Sequence, residues 1–217
     1  MEKQGKAGPL IRQLQVGRMA IFAYIVGDKN SGEALLIDPA AETDRILAEC
    51  AKNELSVKYI VNTHGHVDHI SGNADVKQKT GAGIVVHEKD ADMLTSTPGM
   101  ILRMFGAKAS PPADLIVKDG DSISAGGISL QVLHTPGHTP GGMCLYTPGY
   151  VFTGDTLFVG GVGRTDLPGG SWRVLSDSIR TKLLVLPEAT VVLPGHNYGY
   201  SAQSTIGKEK AGNPFLK

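Results

Sequence analysis

The alternation of apolar and polar residues divides the chain into segments with strand-like or helix-like periodicity. Two early apolar runs are separated by the polar turn at residues 28–32, which predicts a hairpin. Strands are predicted at residues 11–16, 20–27, 33–38, 57–62, 83–86, 114–118, 122–124, 128–134, 142–147, 150–153 and 190–193. Helical spacing of apolar residues predicts helices at residues 42–53, 71–80, 88–95 and 172–184.

The order of these elements predicts the architecture. Strands, a helix, a strand and a helix are followed by more strands, a helix and a final strand, so two sheets with helices on their outer faces are expected. This is an α+β fold, a four-layer αββα sandwich. We find no linker or repeat, and we therefore predict one domain over residues 1–217, with residues 1–9 as a flexible N-terminal tail.

One segment, residues 96–112, is rich in proline, glycine and methionine and has apolar residues crowded at 100–105. Two interpretations are open. We favour a small helix packed on the core, and the alternative is an apolar cover over a pocket. The same apolar cluster is compatible with a homodimer.

Composition narrows the class of protein. The 21 basic and 21 acidic residues balance, which argues against nucleic acid as a partner. No apolar run reaches the roughly 18 residues that a membrane-spanning helix needs, and the polar start does not resemble a signal peptide. A cytoplasmic location without membrane contact is therefore expected. Cys50 and Cys144 lie in helical and strand patterns, so both are expected to be buried free thiols.

The stretch from Thr63 to His69 carries the chemistry, because it places three histidines and an aspartate within six residues after an apolar strand. Alternation along an extended backbone puts His64 and His66 on one side. Asp68 and His69 lie on the following turn and can face a second point. Imidazole nitrogens and carboxylate oxygens suit zinc and non-haem iron. The stretch therefore predicts a metal site, one built for two ions.

Three more candidate ligands, His138, Asp155 and His196, each follow a predicted strand and stand beside glycine. Polar residues at strand ends are typical of a loop-built site on a rigid sheet. His87 is predicted as a strand-end or surface residue, and His134 stands at most behind a ligand. Asp38 could orient a ligand histidine or simply end its strand.

These residues together resemble the metallo-β-lactamase-fold superfamily, whose pattern is His-x-His-x-Asp-His followed by a later His, Asp and His. The match extends over residues 20–196. The resemblance implies that His64, His66 and His138 hold one metal and that Asp68, His69 and His196 hold a second. It further implies that Asp155 bridges both metals and that Asp68 also has a catalytic role in steering a proton.

Two branches of this superfamily remain open. Residues 137–141, residues 152–158 and Tyr198 resemble the short glyoxalase II-like hydrolases. That resemblance implies two divalent metal ions, expected to be zinc, a metal-bridged hydroxide that attacks a small thioester, and a substrate contact from Tyr198. The chain ends soon after His196, so a long C-terminal extension with basic glutathione contacts is not expected.

The second branch is the persulfide dioxygenases. Residues 163–166 and the tail through Asn213 and Pro214 resemble that family, and Arg164 matches a substrate-binding contact in it. This resemblance implies one iron held by the His64/His66/His138/Asp155 site. We favour the hydrolase, and a binding module with a vestigial site is a third hypothesis. The expected partner is a small thiol-linked substrate.

The substrate contacts also have simpler interpretations. Arg164 could bond to nearby loop carbonyls, and Tyr198 could stack beside the metal as scaffold. Residues 208–210 are predicted to form a solvated helix face.

Overall fold

The computed structural model describes residues 8–217, so residues 1–7 of the predicted N-terminal tail lie outside the described residues. Two six-stranded sheets contain twelve of the strands, and a hairpin adds two more strands of two residues each. The strands are β1 Leu10–Val16, β2 Ile21–Asp28, β3 Glu33–Ile37, β4 Ser56–Val61, β5 Gly83–His87, β6 Leu115–Val117, β7 Ser122–Ala125, β8 Ile128–His134, β9 Met143–Thr147, β10 Tyr150–Gly154, β11 Leu157–Phe158, β12 Gly161–Val162, β13 Val191–Pro194 and β14 Ser204–Thr205. The helices are α1 Thr43–Lys52, α2 Val67–Ile70, α3 Asn73–Thr80, α4 Met93–Ser96, α5 Gly99–Phe105, α6 Trp172–Ser178 and α7 Ile206–Gly212.

The first sheet has the order β1-β2-β3-β4-β5-β6 and the second β14-β13-β10-β9-β8-β7. Strands β3 to β6 are parallel, with α1 between β3 and β4, α2 and α3 between β4 and β5, and α4 and α5 between β5 and β6. In the second sheet β10 and β13 are parallel, and α6 lies between them in sequence. Parallel neighbours need such crossover connections, which explains the helices outside each sheet.

Strand β2 shows how the layers form. Phe22, Tyr24 and Val26 pack between the two sheets, whereas Ala23 and Ile25 face the opposite side with α1 residues such as Ile46. Period-two burial on both faces is expected of a strand covered on both sides. A third cluster packs α6 and α7 on the outer face of the second sheet. The predicted αββα sandwich is confirmed.

The loops that carry the candidate ligands follow β4, β8, β10 and β13 and meet at one edge of the sandwich. Backbone hydrogen bonds join the two sheets there. Met143 N donates to Thr63 O at 2.9 Å, and Phe22 N donates to Gly195 O at 2.8 Å. The site is therefore built between the sheets, with ligands from both.

Most predicted strands lie within a few residues of their observed bounds, and the helices differ more. The helix predicted at 71–80 is α3, and the short helix α2 before it was predicted as a turn. The helix predicted at 88–95 is divided into a short turn at Glu88–Asp90 and α4. The helix predicted at 172–184 ends its regular part at Ser178 and continues as a wider turn over Ile179–Leu183.

The favoured interpretation of residues 100–105 is confirmed for the helix but wrong for its packing on the core. They form α5, but α5 contains no buried residue, and Met100 and Met104 are 66% and 73% exposed. Ile101 and Phe105 line the cavity beside the candidate ligands, so the helix covers a pocket.

Two smaller expectations have opposite outcomes. Cys50 and Cys144 are buried and free, as predicted. Glu209 is 1% exposed, so residues 208–210 are not a fully solvated face. Its carboxylate accepts hydrogen bonds from Gly160 N and Asn213 Nδ2, both at 2.9 Å.

Among residues 8–217, no helix has the length and apolar character needed to cross a bilayer.

Candidate metal centre

The first cluster joins the loop after β4 to the loop after β8. His64, His66 and His138 bring one ring nitrogen each to within 4.8 Å of the others. His66 Nδ1 lies 2.9 Å from His138 Nε2, and His64 Nε2 is buried without a hydrogen-bond partner in the described part of the chain. Three imidazole nitrogens that converge in this way form a candidate three-histidine metal site.

The second cluster combines Asp68 and His69, both on α2, with His196, which follows β13. His69 Nε2 lies 3.1 Å from His196 Nε2. Asp68 Oδ2 lies 3.8 Å and 3.6 Å from these two nitrogens. The short helix α2 starts directly after His66, so the chain turns away from the first cluster and presents its next two polar side chains to the second.

Asp155 lies between the clusters, immediately after β10. Its Oδ1 is 3.4 Å from His69 Nε2, and its Oδ2 is 3.5 Å from His138 Nε2 and 3.4 Å from His196 Nε2. The preceding Gly154 has φ +46°, and a Cβ there would lie 2.5 Å from Thr63 Oγ1. A glycine is therefore required where the backbone turns Asp155 toward both clusters.

Backbone carbonyls orient two of the histidines. His138 Nδ1 donates to Arg164 O at 2.7 Å, and His196 Nδ1 donates to Met19 O at 2.8 Å. Because a carbonyl only accepts, the hydrogen is on Nδ1 and the Nε2 lone pair faces the cluster. Metal-binding histidines usually have such a partner on the other ring nitrogen.

Asp38 orients two more histidines, so the first of the two roles considered for it from the sequence is the one observed. Its Oδ2 accepts from His69 Nδ1 at 3.0 Å and from Thr63 Oγ1 at 2.6 Å. With its hydroxyl hydrogen engaged by Asp38, Thr63 Oγ1 accepts from His64 Nδ1 at 3.1 Å. This network directs the Nε2 lone pairs of His64 and His69 into the site.

Asp90 supports the site but was not identified from the sequence. Its side chain is completely buried. It accepts hydrogen bonds from Gly65 N at 3.0 Å, Thr139 Oγ1 at 2.7 Å and Gly141 N at 2.6 Å. One carboxylate thus holds the loop of His64 and His66 against the loop of His138. Its only sequence signal was an aspartate at the end of a short turn, which is common at protein surfaces.

The electrostatics of the cluster fit a bound cation. Burial, together with the neighbouring imidazoles, lowers the pKa of His64 well below its ordinary value and that of His66 to about 4. Burial would also lower the pKa of His69, but the Asp155 and Asp68 carboxylates outweigh it and raise this pKa to about 10. Burial raises the pKa of Asp155, yet His69 and His196 outweigh it and hold this pKa far below its ordinary value.

The donor atoms also fit metal ions. His64 Nε2 and Asp155 Oδ1 are buried without hydrogen-bond partners among the described residues. Because Asp38 and Met19 O engage the Nδ1 atoms of His69 and His196, their Nε2 atoms face each other at 3.1 Å, and a positive charge, either a proton or a metal ion, must lie between them. Imidazole and carboxylate are suitable ligands for zinc or iron.

A cavity of about 690 Å³ opens over the cluster. Tyr198 lines it and stacks on His196, with ring centroids 4.4 Å apart and planes 16° apart. Arg164 also lines it, but its guanidinium makes a two-point ion pair with Asp166, with both contacts at 2.7 Å. Both residues stay predictions as substrate contacts, and the Arg164 carbonyl already has a role in orienting His138.

His87 and His134 lie outside both clusters. Their rings stack with centroids 4.0 Å apart and planes 9° apart. His87 is at a strand end, as predicted, but it is buried rather than on the surface. His134 Nε2 donates to Pro140 O at 2.9 Å, in the loop that carries His138.

Comparison with known proteins identifies the family. The model of the metallo-beta-lactamase superfamily matches residues 16–196. The chain therefore belongs to the metallo-β-lactamase superfamily, as its resemblance predicted.

Two of the relatives carry the names of different enzymes. Hydroxyacylglutathione hydrolase GloC of Haemophilus influenzae is 39% identical over 189 residues, which cover 84% of this chain and 87% of that protein. The mitochondrial persulfide dioxygenase ETHE1 of Homo sapiens is 36% identical over 219 residues, which cover 99% of this chain and 79% of that protein. The crystal structure of TTHA1623 in a di-iron-bound form matches with a TM-score of 0.82 and 33% identity, over 94% of this chain and 100% of that one.

Proposed function

We propose that the chain is a hydrolase of small, thiol-linked esters that holds two divalent cations, zinc in the native protein. The observation that carries this proposal is the second cluster. Asp68, His69 and His196 converge as closely as the first three histidines do, and Asp155 reaches both groups. This converging set of a carboxylate and two imidazoles could hold a second divalent cation.

Two divalent cations, when bound, would polarise a carbonyl oxygen and lower the pKa of a shared water. His64, His66 and His138 would hold the first cation, and Asp68, His69 and His196 the second, with Asp155 between them. Asp38 and the carbonyls of Met19 and Arg164 accept from the Nδ1 atoms of His69, His196 and His138, so the Nε2 atoms of these rings are directed inward toward the cations. No serine or cysteine nucleophile is required.

Asp68 is the candidate for moving a proton. Its side chain is 14% exposed and lines the cavity, whereas His69 beside it is completely buried. A carboxylate at the border between cluster and cavity can accept a proton from attacking water and deliver it to the departing thiolate. Tyr198 and the apolar residues around it would bind the acyl part of the substrate.

The relative named hydroxyacylglutathione hydrolase GloC supports hydrolysis, since it is 39% identical to this chain. A persulfide dioxygenase with one iron at the His64/His66/His138/Asp155 site is the second candidate. The relative named persulfide dioxygenase ETHE1, 36% identical over 99% of the chain, supports it.

One pair of assays separates the two candidates. Protein loaded anaerobically with zinc or with iron(II) is given a panel of S-acylated thiols, and hydrolysis is followed by release of thiol. The same samples are given a persulfide, and oxygen uptake is followed. We expect zinc-dependent thioester hydrolysis without oxygen uptake, and iron-dependent oxygen uptake without hydrolysis would establish the second candidate.

Replacing His66 with alanine tests the metal requirement. His66→Ala removes one of three converging nitrogens, so we expect metal content and thioester turnover to fall together, turnover by at least about 100-fold. His134→Gln is the matched control, because His134 is a nearby histidine outside both clusters. Undiminished turnover in His66→Ala protein that has lost its metal would contradict the metal mechanism.

A further inference from the structure

A second cavity, of about 650 Å³, adjoins the one over the metal cluster. Met19, Asp68 and Phe105 line both cavities, so the two are neighbours on either side of these side chains. Arg164 and Tyr198 line the cavity over the metal cluster but not this second cavity. A substrate held at the cluster can therefore extend in two directions.

Two arginines from separate elements line this second cavity. Arg18 is in the turn between β1 and β2, and Arg103 is on α5. Neither guanidinium has a carboxylate within 4.0 Å among residues 8–217, whereas Arg164 is ion-paired with Asp166 at 2.7 Å. Both arginines are exposed, so their positive charges are available to an anion that enters this cavity.

Asp68 is the acidic side chain in the lining of this cavity. It lies within 3.8 Å of His69 Nε2 and within 3.6 Å of His196 Nε2, so its charge faces the metal cluster. The guanidinium groups therefore remain free for a ligand.

The position of Arg18 relative to the cluster is fixed by its neighbours in the chain. Met19 O accepts from His196 Nδ1 at 2.8 Å, and Ala20 O accepts from Asn197 N at 2.8 Å. On the other side, Gly17 N donates to Glu42 Oε1 at 2.9 Å. The turn that orients one ligand histidine thus also carries Arg18, which sets how far a bound anion would lie from the reacting group.

We propose that Arg18 and Arg103 form an anion subsite that binds a carboxylate or phosphate at the end of the substrate remote from the scissile bond. Guanidinium groups bind both anions through paired, charge-assisted hydrogen bonds. The proposal rests on the proposed function only in taking the ligand to be a thiol-linked substrate. It adds that the anionic end lies in the cavity lined by Arg18 and Arg103, which Arg164 does not line.

Binding to zinc-loaded protein, measured by titration calorimetry, tests the subsite without requiring turnover. S-methylglutathione provides carboxylates, S-methyl coenzyme A provides phosphates, and the dimethyl ester of S-methylglutathione is the probe with its carboxylates blocked. In the double variant Arg18→Gln/Arg103→Gln, we expect at least one anionic probe to bind about 10-fold or more weakly, while the ester changes less than about twofold. The probe that weakens identifies carboxylate or phosphate as the ligand.

Arg173→Gln is the matched control, because Arg173 is an exposed arginine on α6 outside both cavities. Unchanged affinity for both anionic probes in the double variant would overturn the subsite. So would equal weakening of acid and ester, or failure of both anionic probes to bind wild-type protein at about 1 mM. Thioester hydrolysis by the same wild-type sample is a separate readout: binding without hydrolysis contradicts the proposed function alone, and hydrolysis without the binding effect contradicts the subsite alone.

Discussion

Two buried carboxylates outside the ligand set determine where the histidines point. Asp38 accepts from His69 and, through Thr63, directs His64. Asp90 instead holds backbone, since it joins the loop of His66 to the loop of His138. A ligand histidine is only as well placed as these supports, and their removal should affect metal binding more than folding.

Asp90→Asn tests this at a single residue. An asparagine has the same shape but replaces one acceptor oxygen with a donor nitrogen, so it cannot accept from Gly65, Thr139 and Gly141 together. We expect zinc affinity, measured by competition with a chelator, to fall about 10- to 100-fold.

Asp92→Asn serves as the control, because Asp92 is exposed two residues away and its side chain makes no hydrogen bond within the described chain. If Asp90→Asn bound zinc as tightly as Asp92→Asn does, Asp90 would have no part in positioning the ligands.

The stacked pair of His87 and His134 predicts a pH effect on stability. Burial, with His134 adding to it, lowers the pKa of His87 to about 4, against about 6.5 in an unfolded chain. Because the unfolded state binds the proton more tightly, stability is complete above about pH 6.5 and declines as the pH falls toward 4. At pH 5 this one group should cost about 1–2 kcal/mol.

Urea unfolding at pH 7.5 and pH 5.0 measures this effect. His87→Phe keeps an aromatic ring against His134 but cannot take up a proton, so its loss of stability between the two pH values should be smaller than that of the wild type. Equal losses in both proteins would show that His87 does not titrate in this range.

Among the elements, α5 differs most from the others in its packing. It buries no residue, yet Ile101 and Phe105 face the cavity over the cluster. An element with few buried contacts contributes little to global stability and can serve binding instead.

The double variant Ile101→Ala/Phe105→Ala tests this role. We expect the KM for a thioester with an apolar acyl group to rise about 10-fold, because the apolar wall of the cavity is lost, while the Tm changes by less than about 3 °C. Met100→Ala is the control on the same helix, since Met100 is 66% exposed and lines neither cavity. A large loss of Tm with unchanged KM would mean that α5 is a structural element after all.

The elements also show what the sequence could and could not predict. Strands such as β8 were predictable because alternation over seven residues is a long signal. The pairs β11–β12 and β13–β14 involve two-residue strands that have no period to detect. The ligand histidines were recognisable from spacing and family pattern, but Met19 and Arg164 orient them through backbone carbonyls, which any residue type could supply.

At the scale of the whole molecule, each cluster takes ligands from both sheets. His64, His66, Asp68 and His69 follow β4 of the first sheet, whereas His138 and His196 follow strands of the second. Bound metal should therefore hold the two halves of the sandwich together and contribute to stability as a ligand of the folded state.

Removal of metal by a chelator should lower the Tm, and addition of zinc should restore it. At a free zinc concentration about 1,000 times the dissociation constant, the stabilisation is about 4 kcal/mol. The His66→Ala variant should show a much smaller response to both treatments. Identical melting curves with and without metal would contradict a cluster that joins the two sheets.

The central claim is that the chain holds two divalent cations, and the most direct measurement is metal content per chain. The protein should be isolated anaerobically from its own source, because recombinant expression can load a foreign metal. We predict close to two zinc ions per chain, with both clusters occupied. Close to one iron per chain would contradict the account and favour the dioxygenase.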